Sequence, residues 1–324
     1  ARRTGRDLHH VGVGIGQAGD RNPFFLARSR FLPFYHGGEL PDGTPVKPID
    51  ATLGVSGTPQ SATGQTTLFT GINVAALLQA HKGSFPDRRM RRIIFETNLL
   101  KSFRAFSTRS YFLNAYPYHT RFFSSGHLRL KPDGRLVFSR EFPLGLKRSI
   151  SVSSCMLLSC RLTPFGEIEL TEKRALYQDY TNRLLLRKGA RLPRFTPRDA
   201  ADILARAAGE NQFTLYEYFL TDLFAHRESP ESQVALIENL DRMMEHIFSR
   251  LNPLDTTLIV TSDHGNLEAN RSRRHTLNPV PLLVWGEKAP AIRSRVQSIA
   301  DLARVILDEY RPIHPQKEEP HEKL

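Results

Sequence analysis

The sequence has few cysteines and no long apolar run. In 324 residues, no run approaches the length of about 18 apolar residues that a membrane-spanning helix needs. No apolar segment follows the basic N-terminus, so no secretory signal peptide is visible. The two cysteines, Cys155 and Cys160, cannot build a disulfide framework and lack the second ligand pair of a zinc ribbon. We interpret both as ordinary thiols and expect a cytoplasmic protein that is not in the membrane.

The chain is strongly basic, with a formal net charge of +12. Arginines cluster at 88–92, and basic residues cluster again at 187–198. Such charge favours a nucleic-acid partner, but no helix-turn-helix, zinc-finger or aromatic RNA-recognition signature accompanies it. We therefore interpret the clusters as solvated faces and keep a nucleic-acid-binding protein only as a third, less favoured hypothesis that rests on charge alone. Attraction of an anionic phosphate substrate is a compatible use of the same charge.

The segment 256–268 is the most informative. Its β-branched and apolar residues at 257–261 predict a buried strand of a parallel sheet. Asp263 and His264 follow where the strand ends, and open α/β sheets bind ligands at that edge. Carboxylate oxygens and imidazole nitrogens are also ordinary ligands for divalent metals. An adjacent Asp and His is a weak signal by itself, but a second segment, 275–281, begins with a histidine and leads into another predicted strand, 282–285.

Together the two segments resemble the metal-binding core of the alkaline phosphatase superfamily, most closely its cofactor-independent phosphoglycerate mutase branch. That family has Asp-His-Gly-Asn followed by His-Thr-x-Asn-Pro-Val-Pro, as found here at 263–266 and 275–281. The resemblance implies an α/β fold of alkaline phosphatase type, in which helices flank a mostly parallel sheet and a small cap is inserted. It covers roughly residues 11–100 and 200–310.

The resemblance also implies a metal site in the second half of the chain. Asp222 and His226 have the Asp-x-x-x-His spacing of the family's second metal pair. His275 is the third ligand that the family pattern adds to this pair. The mixed Asp and His donors favour Mn²⁺ or Zn²⁺ over Mg²⁺ or Ca²⁺, which prefer shells of oxygen alone.

A second metal site is implied around the nucleophile. Ser61 aligns with the hydroxyl that the family phosphorylates, and Asp263 and His264 align with ligands of the same ion. Thr63 and Thr66 lie in the same segment, so they remain alternative hydroxyls. The loop would lead into a helix starting near residue 62, whose N-terminal amides would face a phosphate.

The family pattern breaks at Val11. The family's first strand ends in Asp-Gly, and that Asp binds the same metal as the nucleophile, whereas Val11-Gly12 stands here. His10 should face the opposite side of the strand, and His9 lies about 6.6 Å back along it. The Arg-rich residues 1–10 do not predict a buried central strand. Because the chain also begins at Ala, we expect a truncated or altered N-terminus, and a first metal site that is weakened or lost. The family's two divalent ions would then be reduced to one.

The pattern along the chain predicts a core interrupted once. Residues 1–104 would form the first part of the metalloenzyme core, 105–195 an inserted cap, 196–310 the second part of the core, and 311–324 a disordered tail. Ser229-Pro230 predicts a helix start, and apolar positions recur at helical spacing across 236–251. This helix would join two parallel strands.

The function that we expect is metal-dependent phosphoryl transfer on a phosphorylated small molecule. Hydrolysis through a phosphoserine is favoured over mutase chemistry, because full-length phosphoglycerate mutases have a much larger inserted domain than this cap. A phosphomutase stays open as an alternative. So does a degenerate family member that binds metal without turnover, which Val11 favours. The sequence names neither the substrate nor the oligomeric state.

Overall fold

A computed structural model describes residues 6–10, 12–19, 21–107, 109–269 and 273–311 of the chain. Val11 and nearly all of the predicted tail, 312–324, lie outside the described residues. The strands are β1 (Arg6–His10), β2 (Lys47–Ile49), β3 (Ser110–Phe112), β4 (Leu128–Leu130), β5 (Leu136–Phe138), β6 (Phe213–Tyr218), β7 (Leu258–Ser262) and β8 (Val280–Trp285). The helices are α1 (Pro23–Leu26), α2 (Ser61–Thr70), α3 (Val74–Leu78), α4 (Arg88–Glu96), α5 (Leu99–Phe106), α6 (Thr120–Ser124), α7 (Val152–Ser159), α8 (Glu167–Thr171), α9 (Arg183–Arg187), α10 (Pro197–Glu210), α11 (Leu220–Arg227), α12 (Pro230–Phe248), α13 (Ala289–Arg295) and α14 (Ile299–Tyr310).

Six strands form the main sheet, in the order β2-β8-β7-β1-β6-β3. The four strands from β7 to β3 are parallel, whereas β8 is antiparallel to both of its neighbours, β7 and β2. The predicted α/β class with a mostly parallel sheet is therefore confirmed. The carboxyl ends of β7, β1 and β6 share one edge, where parallel sheets bind ligands.

The expectation that the first ten residues do not form a central strand is wrong for Arg6–His10. This segment is β1, and it pairs in parallel with β6 on one side and β7 on the other over five residues. The polar sequence hides the strand because backbone hydrogen bonds to two neighbours, rather than local propensity, hold it in place.

Helices cover both faces of the sheet. Alternate residues of β6 point to opposite sides, so that Phe213 and Leu215 pack with α2, α5 and α14, whereas Tyr216 and Tyr218 pack with α10 and α12. The long helix α12 begins as predicted, with Ser229 as its N-cap and Pro230 in its first turn.

The boundaries of the predicted cap, 105–195, stay a prediction. Within this range β3 is an edge strand of the main sheet, so that part extends the sheet rather than covering it. The hairpin of β4 and β5 forms a separate two-stranded sheet. Side chains of α7 share one apolar cluster with α5 and α14.

Both cysteines are free. Cys155 lies inside α7, and Cys160 follows the last residue of that helix. Burial raises the pKa of Cys155 to about 12, so this thiol is protonated and unreactive at neutral pH.

The helices that the structure describes are all too short or too polar to cross a lipid bilayer.

Candidate metal centre

Three side chains converge near the end of β6. Asp222 and His226 lie one turn apart on α11, and His275 lies in the loop before β8. The Nε2 atoms of the two histidines are 3.3 Å apart, and they lie 3.4 Å and 3.6 Å from Oδ1 of Asp222. Ligand atoms of all three residues lie within 4.8 Å of one another. One ion placed among them could contact all three donors.

Backbone carbonyls orient both imidazoles. Nδ1 of His226 lies 2.7 Å from the carbonyl oxygen of Arg273, and Nδ1 of His275 lies 2.9 Å from that of Pro59. Because a carbonyl oxygen only accepts hydrogen bonds, each Nδ1 carries a proton, and in the neutral form of each imidazole Nε2 then presents a lone pair. Two lone pairs and a carboxylate thus face one another. Metal-bound histidines are typically held in this way.

The protonation of this group suits cation binding. Burial raises the pKa of Asp222, but the hydrogen bond with His226, the charge of His264 and the hydrogen bond from Asn266 outweigh it and bring the pKa to about 2. The hydrogen bond with Asp222 raises the pKa of His226, so that a proton on its Nε2 competes with a cation for this position. Burial lowers the pKa of His275. Asp222 is therefore a carboxylate and His275 a neutral imidazole at neutral pH, the forms that bind metals.

A second group of side chains lies where β7 ends. Asp263 and His264 follow the strand and are fully buried. Nε2 of His264 lies 3.0 Å from Oγ of Ser61 and 3.7 Å from Oδ2 of Asp263. In a serine-hydrolase triad the carboxylate would contact Nδ1 instead, but Nδ1 of His264 faces the carbonyl oxygen of Gly265 at 3.3 Å. Oγ of Ser61 and Oδ2 of Asp263 thus both lie close to Nε2 of His264, and this arrangement suits a cation rather than a proton relay.

One oxygen of Asp263 lacks a hydrogen bond. Its Oδ1 accepts from the amide of Gly12 at 3.3 Å and from Oγ of Ser262 at 3.5 Å. Its Oδ2 is buried and has no hydrogen-bond partner in the described part of the chain. Burial raises the pKa of this carboxyl. Since an unpaired buried carboxylate is costly, the group fits a divalent cation that would satisfy the open oxygen.

The two groups adjoin through their histidines. The rings of His264 and His275 stack, with centroids 3.8 Å apart and planes inclined by 16°. The structure therefore brings together all six residues predicted for the site: Ser61, Asp222, His226, Asp263, His264 and His275.

Ser61 is the accessible hydroxyl of its segment. It is the first residue of α2 and half-buried, whereas the predicted helix started one residue later. Thr63 and Thr66 are fully buried, and their hydroxyls donate to the carbonyl oxygens of Gln60 and Ala62 at 3.1 Å and 2.6 Å. Neither threonine hydroxyl is therefore free to face a ligand.

Gly64 lets α2 approach the end of β7. A Cβ at this position would lie 2.6 Å from the carbonyl oxygen of Asp263 and 3.1 Å from its Cβ. Any side chain would push the helix away from Asp263 and His264. The glycine thus sets the distance between Ser61 and His264.

Gly12 lies against both groups. Its amide contacts Asp263, as above, and a Cβ on it would lie 2.6 Å from Oδ1 of Asp222. Its φ of +73° is also in the region that favours glycine. Val11, the residue before it, lies outside the described residues, so the expected loss of a metal ligand there stays a prediction.

Glu268 was missed by the sequence analysis. It is buried, and Oε2 accepts from the amides of Gly14 at 2.7 Å and Asn266 at 2.8 Å. Its Oε1 accepts from the side chains of Thr276 and, at 3.0 Å, Asn278. This carboxylate therefore ties together the loops that carry the candidate ligands. No spacing in the sequence could reveal it, because its partners meet only in the fold.

Asn266 is the last residue of the Asp-His-Gly-Asn motif, and the sequence analysis assigned it no role. Its Nδ2 donates to Oδ1 of Asp222 at 2.9 Å and lies 3.2 Å from Nε2 of His226. This amide fixes the carboxylate of Asp222 in place.

Glu217 is a further buried carboxyl close to the site. It lies on β6, fully buried, and its Oε2 accepts from the hydroxyl of Tyr116 at 3.4 Å. Burial raises the pKa of Glu217 to about 8, with a smaller contribution from the charge of Asp263. The side chain is therefore mostly protonated at neutral pH. Because its neighbours in β6 are mostly apolar, the sequence gave no sign that a buried carboxyl lies near the site.

Known proteins are similar to parts of this chain. Residues 192–311 match the model of the Metalloenzyme superfamily. The predicted resemblance to the alkaline phosphatase superfamily is confirmed. A 2,3-bisphosphoglycerate-independent phosphoglycerate mutase from Gloeothece citriformis is 32% identical over 114 residues, 31% of this chain and 21% of that protein. A phosphopentomutase from Kosmotoga olearia is 33% identical over 87 residues, 26% of this chain and 22% of that protein. The matched part thus spans about a fifth of the length of these curated relatives.

A solved structure is similar over most of its length at lower identity. The alkaline phosphatase from the Antarctic bacterium TAB5 is 12% identical, with a TM-score of 0.44, over 95% of this chain and 98% of that chain.

Proposed function

We propose that the protein is a metal-dependent phosphoryl-transfer enzyme that hydrolyses a phosphate ester through a phosphoserine at Ser61. The observation that supports this most is the orientation of the three histidines, His226, His264 and His275. Each has Nδ1 at a backbone carbonyl and Nε2 directed toward a carboxylate oxygen. This arrangement suits cation binding at two adjoining groups, beside a serine hydroxyl.

Each group would hold one divalent ion. Asp222, His226 and His275 would bind the first, and Asp263, His264 and Ser61 would bind the other. Bound there, such ions supply positive charge, which lowers the pKa of a serine hydroxyl and neutralises phosphoryl oxygens. The mixed donors favour Mn²⁺ or Zn²⁺. We propose that the Asp222 group binds its ion tightly, whereas Val11 weakens the other.

Ser61 is the proposed nucleophile. Its Oγ would form a bond to phosphorus while the ester P–O bond breaks, with the hydroxyl proton leaving to solvent and the departing alkoxide taking one up. Water would then displace Ser61 from the phosphoserine and release inorganic phosphate. The N-terminus of α2 supports anion binding, because Gln60 makes no side-chain capping bond there and helix N-terminal amides favour phosphate.

The second candidate function is phosphomutase activity. The named relatives, a phosphoglycerate mutase and a phosphopentomutase, favour it. In a mutase a hydroxyl of the substrate, rather than water, would take the phosphoryl group from Ser61. A phosphorylated small molecule is the substrate in both cases.

The test is an assay with p-nitrophenyl phosphate on metal-free protein, before and after addition of Mn²⁺ or Zn²⁺. We expect p-nitrophenol release only with metal, and intact-mass analysis of quenched samples should find one added HPO₃ on the peptide that contains Ser61. Release of inorganic phosphate supports hydrolysis, whereas transfer to an added sugar phosphate supports the mutase. Metal binding without any turnover would contradict both and favour a degenerate binding protein.

A further inference from the structure

A cavity of about 550 Å³ lies behind α11, bounded by α9, α11, α12 and the residues just before α10. Its lining combines apolar and polar side chains in similar share. Phe195 and Tyr218 are buried there, and Leu223 and Phe224 of α11 complete the surface. The volume is in the range of small-molecule sites, about 300–1,000 Å³.

Three arginines line the same cavity. Arg183 and Arg187 lie on α9, and Arg194 lies in the segment that follows it; all three are exposed. An adjoining depression of about 330 Å³ is lined by these arginines and Leu186. In the part of the chain that the structure describes, no acidic group lies within 4.0 Å of their guanidinium groups. Arginine is the side chain best suited to bind phosphate, sulfonate or carboxylate groups through paired hydrogen bonds.

Two acidic residues also line the cavity, and the carboxylate of one of them already accepts several hydrogen bonds. Asp179 is buried, and its carboxylate accepts from the amide and hydroxyl of Thr181 and from the amide of Leu184. Glu228 is exposed at the end of α11. The three arginines outnumber these two acids, so the lining keeps a positive charge.

This cavity is separate from the candidate metal centre. Successive residues of an α-helix are rotated by roughly 100°, which puts Phe224 on the side of α11 opposite Asp222 and His226, with Leu223 between them. None of the six candidate site residues lines the cavity. The two sites therefore share one helix but no lining residue.

We propose that the cavity behind α11 is a second ligand site, for a small molecule that combines an anionic head group with an apolar body. The head group pairs with Arg183, Arg187 and Arg194, and the body packs against Phe195, Leu223 and Phe224. A metabolite that carries a phosphate or a carboxylate on an aromatic or aliphatic body has this chemistry. The proposal does not depend on the activity proposed for Ser61.

The test is a fluorescence titration of the full chain with 8-anilinonaphthalene-1-sulfonate, an aromatic sulfonate. We expect saturable binding at one site by the wild type. The triple variant Arg183→Gln, Arg187→Gln, Arg194→Gln should bind at least about tenfold more weakly, because it removes every cation that lines the cavity. The matched control is Arg89→Gln, Arg140→Gln, Arg148→Gln, which makes the same charge change at exposed positions outside the cavity. Its affinity should stay within about twofold of the wild type.

Two further measurements locate the site. Ser61→Ala and removal of metal by EDTA should leave the dye affinity unchanged, since neither touches the cavity. Equal weakening in both triple variants, or loss of binding in Ser61→Ala, would overturn the proposal. Melting curves followed by circular dichroism will show that the triple variants are folded. If the triple variant of the cavity arginines is not folded, the single variants Arg187→Gln and Arg89→Gln provide the same comparison.

Discussion

His226 and His275 direct their Nε2 atoms at each other across 3.3 Å, while Nδ1 of each faces a backbone carbonyl. This arrangement is unfavourable between two neutral imidazoles, because both facing atoms are acceptors. It becomes favourable when a cation lies between them. A metal or an added proton relieves this repulsion, so metal and proton should compete for the pair.

The first prediction follows from this pair. Protein dialysed exhaustively should retain nearer one divalent ion than two, and His275→Ala should release it, because two donors remain where three were present. Elemental analysis by mass spectrometry measures both. His246→Ala, on α12 and away from the site, is the matched control and should keep the ion. Two tightly bound ions in the wild type would mean that the position of Val11 is compensated, and none would contradict the metal centre.

The second prediction concerns the nucleophile. Ser61→Ala should lower metal-dependent phosphatase activity by several orders of magnitude, because loss of a nucleophile removes the covalent step. The melting temperature should change little, since Ser61 is half-buried. Thr63→Ala and Thr66→Ala should keep more activity, although each loses a hydrogen bond to a backbone carbonyl. If Thr63→Ala is inactive and folded while Ser61→Ala still turns over, the nucleophile has been misplaced.

The third prediction tests how closely α2 approaches the site. Gly64→Ala should destabilise the fold by about 1–3 kcal/mol, because the new methyl overlaps the backbone of Asp263. Activity should fall as well, since Ser61 moves away from His264. Gly209→Ala in α10 is the matched control: its Cβ would meet nothing within 4 Å. It should stabilise the protein by about 0.4–1 kcal/mol. Urea unfolding of the two variants measures the contrast, and equal effects would show that the close approach is not real.

The parts of the fold that the sequence predicted have a strong local pattern. The strand β7 is a β-branched run, and α12 combines a Ser-Pro start with a regular apolar stripe. Ser61, Asp222 and His275 were found because the family motifs keep a fixed order. The three-dimensional grouping of these residues follows from the shared edge of the parallel strands.

The parts that were missed depend on contacts between distant segments. Strand β1 has a polar sequence, and only its two parallel neighbours make it a strand. Glu268 acts through donors on Gly14 and Asn278, which come close only after folding. The residues of β3 fell within the predicted cap, 105–195, because that segment has no regular hydrophobic period. Neither hydrophobic period nor motif spacing contains this information.

The fourth prediction is a pH dependence of stability. Burial raises the pKa of Glu217 to about 8, from an ordinary value of 4.5. The folded protein therefore holds this proton in a range where the unfolded chain releases it, and stability falls as the pH rises from about 5 to 8. Relative to Glu217→Gln, the wild type should lose on the order of a few kcal/mol over this interval. Urea unfolding of EDTA-treated protein at several pH values measures the difference. Parallel profiles for the two proteins would show that Glu217 is not buried as a neutral acid.

The last prediction concerns Val11, between the end of β1 and Gly12. Because Gly12 contacts Asp263 and lies against Asp222, we expect Val11→Asp to bring a carboxylate to the group formed by Ser61, Asp263 and His264. An added anionic ligand should strengthen binding of the ion there and favour ionised Ser61. Because loss of one member of a catalytic group commonly costs several kcal/mol, its restoration should raise turnover by one or more orders of magnitude.

The same substitution has a cost without metal. A new carboxylate near Asp263 and Asp222 adds buried negative charge, so metal-free Val11→Asp should melt at a lower temperature than metal-free wild type. Mn²⁺ or Zn²⁺ should restore the melting temperature, since an ion that binds only the folded state stabilises it. Val11→Asn is the matched control, because asparagine has nearly the shape of aspartate without its charge. It should show a smaller gain in metal affinity than Val11→Asp. A Val11→Asp protein that is destabilised, gains no activity and is rescued by neither metal would mean that residue 11 does not face this site.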